Sequence, residues 1–180
     1  AIIRNENLKF AKSFISNKYA HLLSEEGISL FGELKKLESS HKKVQDYMMK
    51  KIAAFKTSEE FNTALSSLIN SLSGGWDGES VMSRVEVGGG ILVHHLETKN
   101  PEGSIVIAKI PNYKASKELG STSWCISRSE SYFKHYTLGF GVQYFIWNTS
   151  IPQSDPYSLI GVTIDYDGRI KASNDRRDGC

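Results

Sequence analysis

A cysteine surrounded by small and polar residues lies in the segment ELGSTSWCISRSESYF, residues 118–133. Cys125 can act as a nucleophile only as a thiolate, which a helix N-terminus or a nearby imidazole stabilises. The sequence offers both, because helix-starting residues follow the cysteine, and His135 and His95 are candidate general bases. Asp165, at the end of a predicted strand, can orient a histidine. These residues predict a cysteine-dependent hydrolase or acyl-transfer enzyme as one candidate function.

The same cysteine also fits a structural position in the protein core. Cysteine is among the residue types that are most often buried, and here Trp124 and Ile126 flank it. In a strand these two neighbours would face the side opposite to Cys125. The familiar thiol-hydrolase signature places a glycine before the cysteine and an aromatic residue after it, and this chain does neither. The order of residues therefore favours a buried, structural cysteine.

Arginines near this cysteine and near the end of the sequence are candidate ligands for an anion. Arg128 follows the cysteine by three residues, and Arg176 and Arg177 lie in the segment SNDRRD. Arginine binds anionic groups through paired hydrogen bonds. Solvated surface charge is the simpler explanation for these arginines. His94 and His95 are adjacent, and adjacent strand residues point to opposite faces, so they are not expected to bind one metal ion. We expect neither a metal nor a cofactor.

The charge and cysteine content narrow the classes of partner. The 180 residues include 22 Lys and Arg and 20 Asp and Glu, which gives a net charge of +2. Domains that bind nucleic acids usually carry a larger or more clustered basic excess, so a nucleic acid is not the expected partner. No apolar run approaches the ~18 residues of a membrane-spanning helix, so a membrane is not expected either. The two cysteines predict free thiols in a reducing compartment.

Two stretches with different residue patterns predict the secondary structure. Residues 1–73 carry apolar residues at helical spacing, and Thr57 and Glu60 form a capping-box pair before the best-marked helix. After Trp76 the chain has short segments rich in β-branched and aromatic residues. These segments predict strands at 81–87, 91–97, 104–110, 142–147 and 159–166. Turn sequences are found at 87–90, 100–103 and 166–169, and short helices are predicted at 113–119 and 129–136.

Strands joined by short turns pair antiparallel, because parallel strands need longer crossovers. The chain is therefore predicted to be α+β, with a helical N-terminal region (1–75) followed by a region (76–180) of mainly antiparallel β-sheet with short helices packed on it. The strand VQYFIW carries aromatic residues on both faces, with Tyr144 on one and Phe145 on the other. We expect this strand to be central and covered on both sides. Trp124 is expected to pack between helix and sheet, with its indole N–H bound to a buried acceptor.

The second half of the chain resembles a group of phage-encoded and phage-associated bacterial proteins. The similarity covers roughly residues 113–178 and includes GSTSWC, QYFIW and the Asp-rich end. In that group a Gly-Ser/Thr-x-Trp-Cys motif precedes a Phe-x-x-Tyr element and a Tyr-Phe-Ile strand. The matching positions here are Gly120, Trp124, Cys125, Phe133, Tyr136 and Tyr144. The resemblance implies a phage origin and a setting in the host cytoplasm or the virion, and it brings no activity and no catalytic residue.

Two main functions follow from these observations. The first is a non-enzymatic phage protein that binds a host or virion protein, which the near-neutral charge and the helical first half favour. The second is the cysteine-dependent enzyme that uses Cys125 with His135 or His95. A nucleotide or nucleic-acid ligand site built from Arg128 and Arg176 is a third, weaker alternative. The sequence leaves the oligomeric state open.

Overall fold

The backbone contacts divide the chain into two compact units, Ala1–Gly75 and Trp76–Cys180. The computed structural model describes residues 1–139 and 141–173, apart from the side chains of 171–173.

The first unit is built from helices. They are α1 (Ile2–Phe14), α2 (Glu25–Lys35), α3 (His41–Lys51) and α4 (Ser58–Leu72), with short 3₁₀ segments at Asn17–Leu22, Glu38–Ser40 and Ile52–Ala54. No strand occurs within residues 1–75, which confirms the prediction of helices in this region. In its core the fully buried rings of Phe31 (α2) and Phe61 (α4) stack with their centroids 6.2 Å apart.

The start of α4 shows how local sequence places a helix. The side-chain oxygen of Thr57 accepts a hydrogen bond from the backbone N–H of Glu60 at 3.2 Å. The carboxylate of Glu60 accepts in return from the backbone N–H of Lys56 at 2.9 Å. The capping pair predicted from the sequence is therefore present, although the returning bond reaches one residue earlier than in the usual capping box.

In its described residues the second unit combines four α-helices and a short 3₁₀ segment at Pro156–Ser158 with one antiparallel sheet, and the two parts of the chain together confirm the α+β class. The helices are α5 (Gly78–Val87), α6 (Tyr113–Leu119), α7 (Cys125–Arg128) and α8 (Glu130–Gly139). The strands are β1 (Ile91–Lys99), β2 (Glu102–Lys109), β3 (Gly141–Asn148), β4 (Leu159–Asp165) and β5 (Ile170–Ser173). The sheet has five strands in the order β1-β2-β3-β4-β5, so β3 is central, as predicted. The predicted turns at 100–103 and 166–169 join β1 to β2 and β4 to β5.

The strand predicted at 81–87 is wrong, because these residues belong to helix α5. Asp77 caps this helix by accepting a hydrogen bond from the backbone N–H of Ser80 at 2.8 Å. Val81 and Val85, four residues apart, both become fully buried on one side of the helix. The valines of this segment also fit the two-residue period of a strand. Packing against the sheet selects the helical period.

The turn predicted at 87–90 is a helix end rather than a hairpin. Gly89 has a φ of +88°, the left-handed conformation that glycine adopts most easily. The backbone N–H of Gly90 bonds to the carbonyl of Val85 at 2.9 Å, as in a Schellman motif. The three glycines therefore end α5 and lead into β1.

The helices of the second unit pack on one face of the sheet. All four contribute to a core with β2 and β3, whose buried members include Val85, Leu119, Trp124, Ile126, Phe133, Val106, Phe145 and Trp147. The ring of Trp124 lies edge-on to Phe145 with centroids 5.1 Å apart. Phe133 is the aromatic residue of α8 that faces this core, whereas Tyr132 and Tyr136 are exposed. None of the helices in the described part of the chain is long and apolar enough to cross a membrane.

Candidate functional site

Cys125 lies at the first position of α7 and is only 7% exposed. The predicted strand position is wrong, since Trp124 precedes a four-residue helix that contains Cys125, Ile126 and Arg128. The sulfur is disulfide-bonded, so the expectation of a free thiol is wrong for this residue. The sequence has one other cysteine, Cys180, which lies outside the described residues. A buried sulfur in a disulfide is not a thiolate and does not act as a nucleophile.

The candidate partners of Cys125 belong to separate parts of the unit. His95 lies on β1, where its Nε2 is 3.3 Å from the hydroxyl of Ser104. Asp165 ends β4, and its Oδ1 accepts hydrogen bonds from the backbone N–H groups of Asp167 and Arg169 at 3.0 and 2.7 Å. That carboxylate therefore holds the β4–β5 turn in shape. These contacts give His95 and Asp165 structural roles away from the cysteine.

The remaining candidate residues are dispersed over the surface or lie outside the described part. His135 is exposed on α8, with its ring 5.8 Å from that of Tyr136. Arg128 is exposed at the last position of α7. Arg176 and Arg177, the other two candidate anion ligands, lie outside the described residues. Within the described residues no group of three or more His, Cys, Asp or Glu is arranged to hold a metal ion.

The strand register defines two faces of the sheet. Residues opposite each other on antiparallel strands share a face, and successive residues along a strand alternate between faces. Val106 pairs with Trp147 and Ala108 with Phe145, and these residues belong to the face that the helices cover. The residues between them therefore form the opposite face of the sheet.

This opposite face, called the open face below, is mainly apolar, and its described polar members are His94, Thr98, Lys109 and Asn148. Its apolar members are Leu96, Ile105, Ile107, Val142, Tyr144, Ile146, Ile160, Val162, Ile164 and Ile170. Val162 near the middle is 9% exposed, whereas Leu96 and Ile170 at the two sides are 42% and 70% exposed. Most of the others are half-buried. The buried core of the second unit includes none of these residues, and the expectation that β3 is covered on both sides stays a prediction for the side that carries Tyr144.

The charged groups on the open face are all basic among the described residues. Lys109 pairs with Tyr144, and His94 pairs with Ile107, so both side chains belong to this face. The described acidic residues of the strands, such as Glu97 opposite Ser104, belong to the covered face by the same alternation. The open face is thus an apolar surface with a basic corner.

Strand β1 extends this apolar surface to the edge of the sheet. It pairs with β2 on one side, and its register shifts between Leu92 and His94, which indicates a bulge at Val93. Ile91 and Val93 are 52% and 55% exposed. The apolar start of this edge strand can pair with another chain, whereas its bulge and its charged second half protect the rest of the edge.

The sequence contains a signal for this surface, since SIVIAKI and VQYFIW carry bulky apolar residues at consecutive positions. That pattern shows that both faces of a strand are apolar, and it does not show which face the helices cover. Comparisons of the chain with protein-family models, with curated proteins and with solved structures found no match.

Proposed function

We propose that this chain binds another protein through the open face, as a phage protein that acts on a host or virion protein without catalysing a reaction. The observation that carries the proposal is the continuous set of Ile, Val, Leu and Tyr side chains across the five strands of the sheet. The largest apolar patch of a monomeric protein is often a functional surface. The phage setting is the one that the sequence resemblance implies.

The size of the face is consistent with a contact of moderate strength. With strands about 4.8 Å apart and about 3.3 Å per residue, the paired part of the sheet covers on the order of 400 Å². A standard protein interface buries about 800 Å² on each partner. The open face therefore supplies roughly half of such an interface. The exposed Ile91 and Val93 of β1 provide apolar area next to it.

The charges of the face favour a different protein over a second copy of this chain. Lys109 and His94 supply the charged and titratable groups of the open face among the described residues. A second copy that docked by the same face would bring basic groups and no described carboxylate. A partner with an apolar surface and a carboxylate near its rim would pack against the isoleucines and form an ion pair with Lys109.

The contacts of the candidate catalytic residues also support binding rather than catalysis. Cys125 is disulfide-bonded and almost fully buried. Asp165 is engaged by two backbone N–H groups of its own turn, and His95 contacts Ser104. An activated cysteine nucleophile requires a thiolate within hydrogen-bond reach of a base. The contacts of Asp165 and His95 are instead with their own turn and with Ser104.

The proposal can be tested with a pair of substitutions in the centre of the face. Ile107 and Ile146 lie opposite each other on β2 and β3, and threonine at both positions keeps the β-branched shape while adding hydroxyl groups. A matched control replaces Leu138, which is 76% exposed on α8, and Ile3, which is 73% exposed in the first unit. Each tagged protein is incubated with bacterial lysate and with disrupted virions. Retained proteins are quantified, and melting temperature and solution mass are recorded for each variant.

We expect the wild-type chain and the Leu138→Thr, Ile3→Thr control to retain the same protein, and the Ile107→Thr, Ile146→Thr variant to lose it at an unchanged melting temperature. Equal retention by both variants would contradict the proposal. Light scattering distinguishes the remaining case. A wild-type dimer that becomes monomeric only in the Ile107→Thr, Ile146→Thr variant would show that the face binds a second copy, and it would overturn the choice of partner.

A further inference from the structure

All three tryptophans of the chain line a single cavity in the second unit. The cavity has a volume of about 380 Å³, within the range of about 300–1,000 Å³ that is usual for small-molecule sites. Trp76 precedes α5, Trp124 precedes α7, and Trp147 lies near the end of β3. Segment 153–159 forms the opposite wall. The cavity is separate from the open face, because Trp147 belongs to the covered side of the sheet.

Several hydrogen bonds fix the walls of this cavity. The indole N–H of Trp76 donates to the carbonyl of Ile151 at 2.8 Å, which holds its ring against the segment that precedes the wall. In the wall, Ser158 donates to the carbonyl of Gln153 at 3.0 Å. The Oδ1 of Asp155 accepts from the backbone N–H of Tyr157 at 2.8 Å. These hydrogen bonds hold the walls of the cavity in place.

The Gly-Ser-Thr-Ser-Trp segment forms another wall of the cavity. Steric crowding explains why a glycine occupies its first position. A Cβ atom at Gly120 would contact the hydroxyl of Ser127 and would lie 2.7 Å from the carbonyl oxygen of Ser116. The turn that follows Gly120 places Ser121 and Ser123 at the cavity, with their hydroxyls 2.8 Å apart. The segment that the sequence resemblance emphasises therefore shapes a binding cavity.

Two indole N–H groups at the cavity have no acceptor among the described residues. Neither Trp124 nor Trp147 donates a side-chain hydrogen bond to a described group, so the buried acceptor expected for Trp124 is not found there. The fully buried unsatisfied side-chain atoms of the described residues are Asn62 Oδ1 and Ser71 Oγ, and neither indole nitrogen is among them. Both rings line the cavity, where a ligand can supply the acceptors. A ligand there needs hydrogen-bond acceptors.

The charged residues of the lining limit the chemistry of the ligand further. Arg84 lines one side and is half-buried, and this burial lowers its pKa. The carboxylates of Glu118 and Asp155 line the same cavity. The lining thus carries charges of both signs, and it does not single out a simple anion or a simple cation. A neutral ligand that both donates and accepts hydrogen bonds fits this mixture.

We propose that the cavity binds a small carbohydrate, that is, one or two neutral polyhydroxylated rings. Sugar hydroxyls accept from the indole N–H groups of Trp124 and Trp147 and donate to the carboxylate of Asp155. The apolar side of the sugar ring packs against the indole of Trp76. The serine hydroxyls at the Gly120 turn and the amide of Gln153 can each donate or accept a further hydrogen bond.

Intrinsic fluorescence gives a direct test, because every tryptophan of the chain lies at the cavity. The full chain is titrated with glucose, N-acetylglucosamine and cellobiose to about 10 mM, ten times a weak dissociation constant of about 1 mM. We expect at least one of these sugars to change the emission in a saturable way. Free glycine and free leucine, which carry both charges, serve as competing probes.

Two variants connect the response to the cavity. Trp124→Phe removes one indole donor and is expected to weaken binding about threefold to tenfold, as for the loss of one hydrogen bond. Gln153→Ala, an exposed wall position, is expected to weaken binding in the same direction and provides the test if the Trp124 variant does not fold. Tyr132→Phe, on α8 away from the cavity, is the matched control and is expected to leave the affinity unchanged.

Three results would overturn the assignment. The first is that none of the three sugars changes the emission. The second is a response to glycine or leucine without a response to any sugar, which would show a site for a zwitterion. The third is a sugar response with equal affinity in wild type, Trp124→Phe and Gln153→Ala, which would place the sugar elsewhere. None of these results depends on protein binding by the open face.

Discussion

Replacement of Trp124 by alanine tests the core of the second unit most directly. The side chain is 5% exposed and lies edge-on to Phe145 with ring centroids 5.1 Å apart. Removing a large buried aromatic residue costs about 3–5 kcal/mol of unfolding free energy, since apolar contact is lost and a cavity remains. The contact with the Phe145 ring accounts for about 0.5–1.5 kcal/mol of this loss. Because domains are usually stable by about 5–15 kcal/mol, we expect the substitution to bring this unit close to unfolding.

Chemical denaturation followed by tryptophan fluorescence measures this effect in the correct unit. All tryptophans lie in the second unit, so Trp76 and Trp147 continue to report its unfolding in the Trp124→Ala variant. Trp124→Phe is the matched control, because it keeps an aromatic ring beside Phe145 and should lose less stability than the alanine variant. A loss below about 1 kcal/mol for Trp124→Ala would refute the reasoning, since surface substitutions usually stay within about ±0.5 kcal/mol.

Three further predictions concern a helix cap, the disulfide-bonded cysteine and a surface ion pair. Thr57→Ala removes the acceptor at the start of α4 and should cost about 1 kcal/mol in a denaturant titration, whereas Thr57→Ser should cost much less. Cys125→Ser should lower the unfolding free energy by about 1 kcal/mol in the presence of reductant, because a hydroxyl replaces a buried sulfur. Without reductant the loss should be larger, because the disulfide is also lost. Protein binding should persist in this variant, and a loss of binding at unchanged stability would contradict the prediction. The hydrogen bond from Arg4 lowers the pKa of Glu25 below its ordinary value of 4.5. The stabilisation by this pair is therefore present above that value and lost as the pH falls through the lowered pKa. Glu25→Gln, but not Glu26→Gln, should therefore flatten the stability profile on the acid side of about pH 4.5.

Local signals predicted several parts of the fold correctly. The cap at Thr57, the turn Asp167-Gly168 and the helix end at Gly120 each depend on residues within a few positions of one another. The central place of β3 also followed from its sequence, because a strand with bulky apolar residues at consecutive positions is rarely found at an edge. These features need no knowledge of distant residues, and the structure confirms them.

Long-range contacts decided what local patterns left ambiguous. Val81 and Val85 fit both a strand and a helix, and packing against the sheet selects α5. Cys125 fits a strand, a catalytic helix end and a core position, and its burial and its disulfide select the core position.

The amino-acid sequence by itself determined the α+β class, the helical first part, the antiparallel pairing and the central strand. Tertiary structure alone decided which face of the sheet the helices of the second unit cover. It also decided that tryptophans from three separate segments meet at one cavity, as the hydrogen bond from Trp76 to Ile151, 75 residues away, illustrates. The physical reason is that residue spacing fixes backbone periodicity over a few residues, whereas a face or a cavity exists only when distant segments pack together.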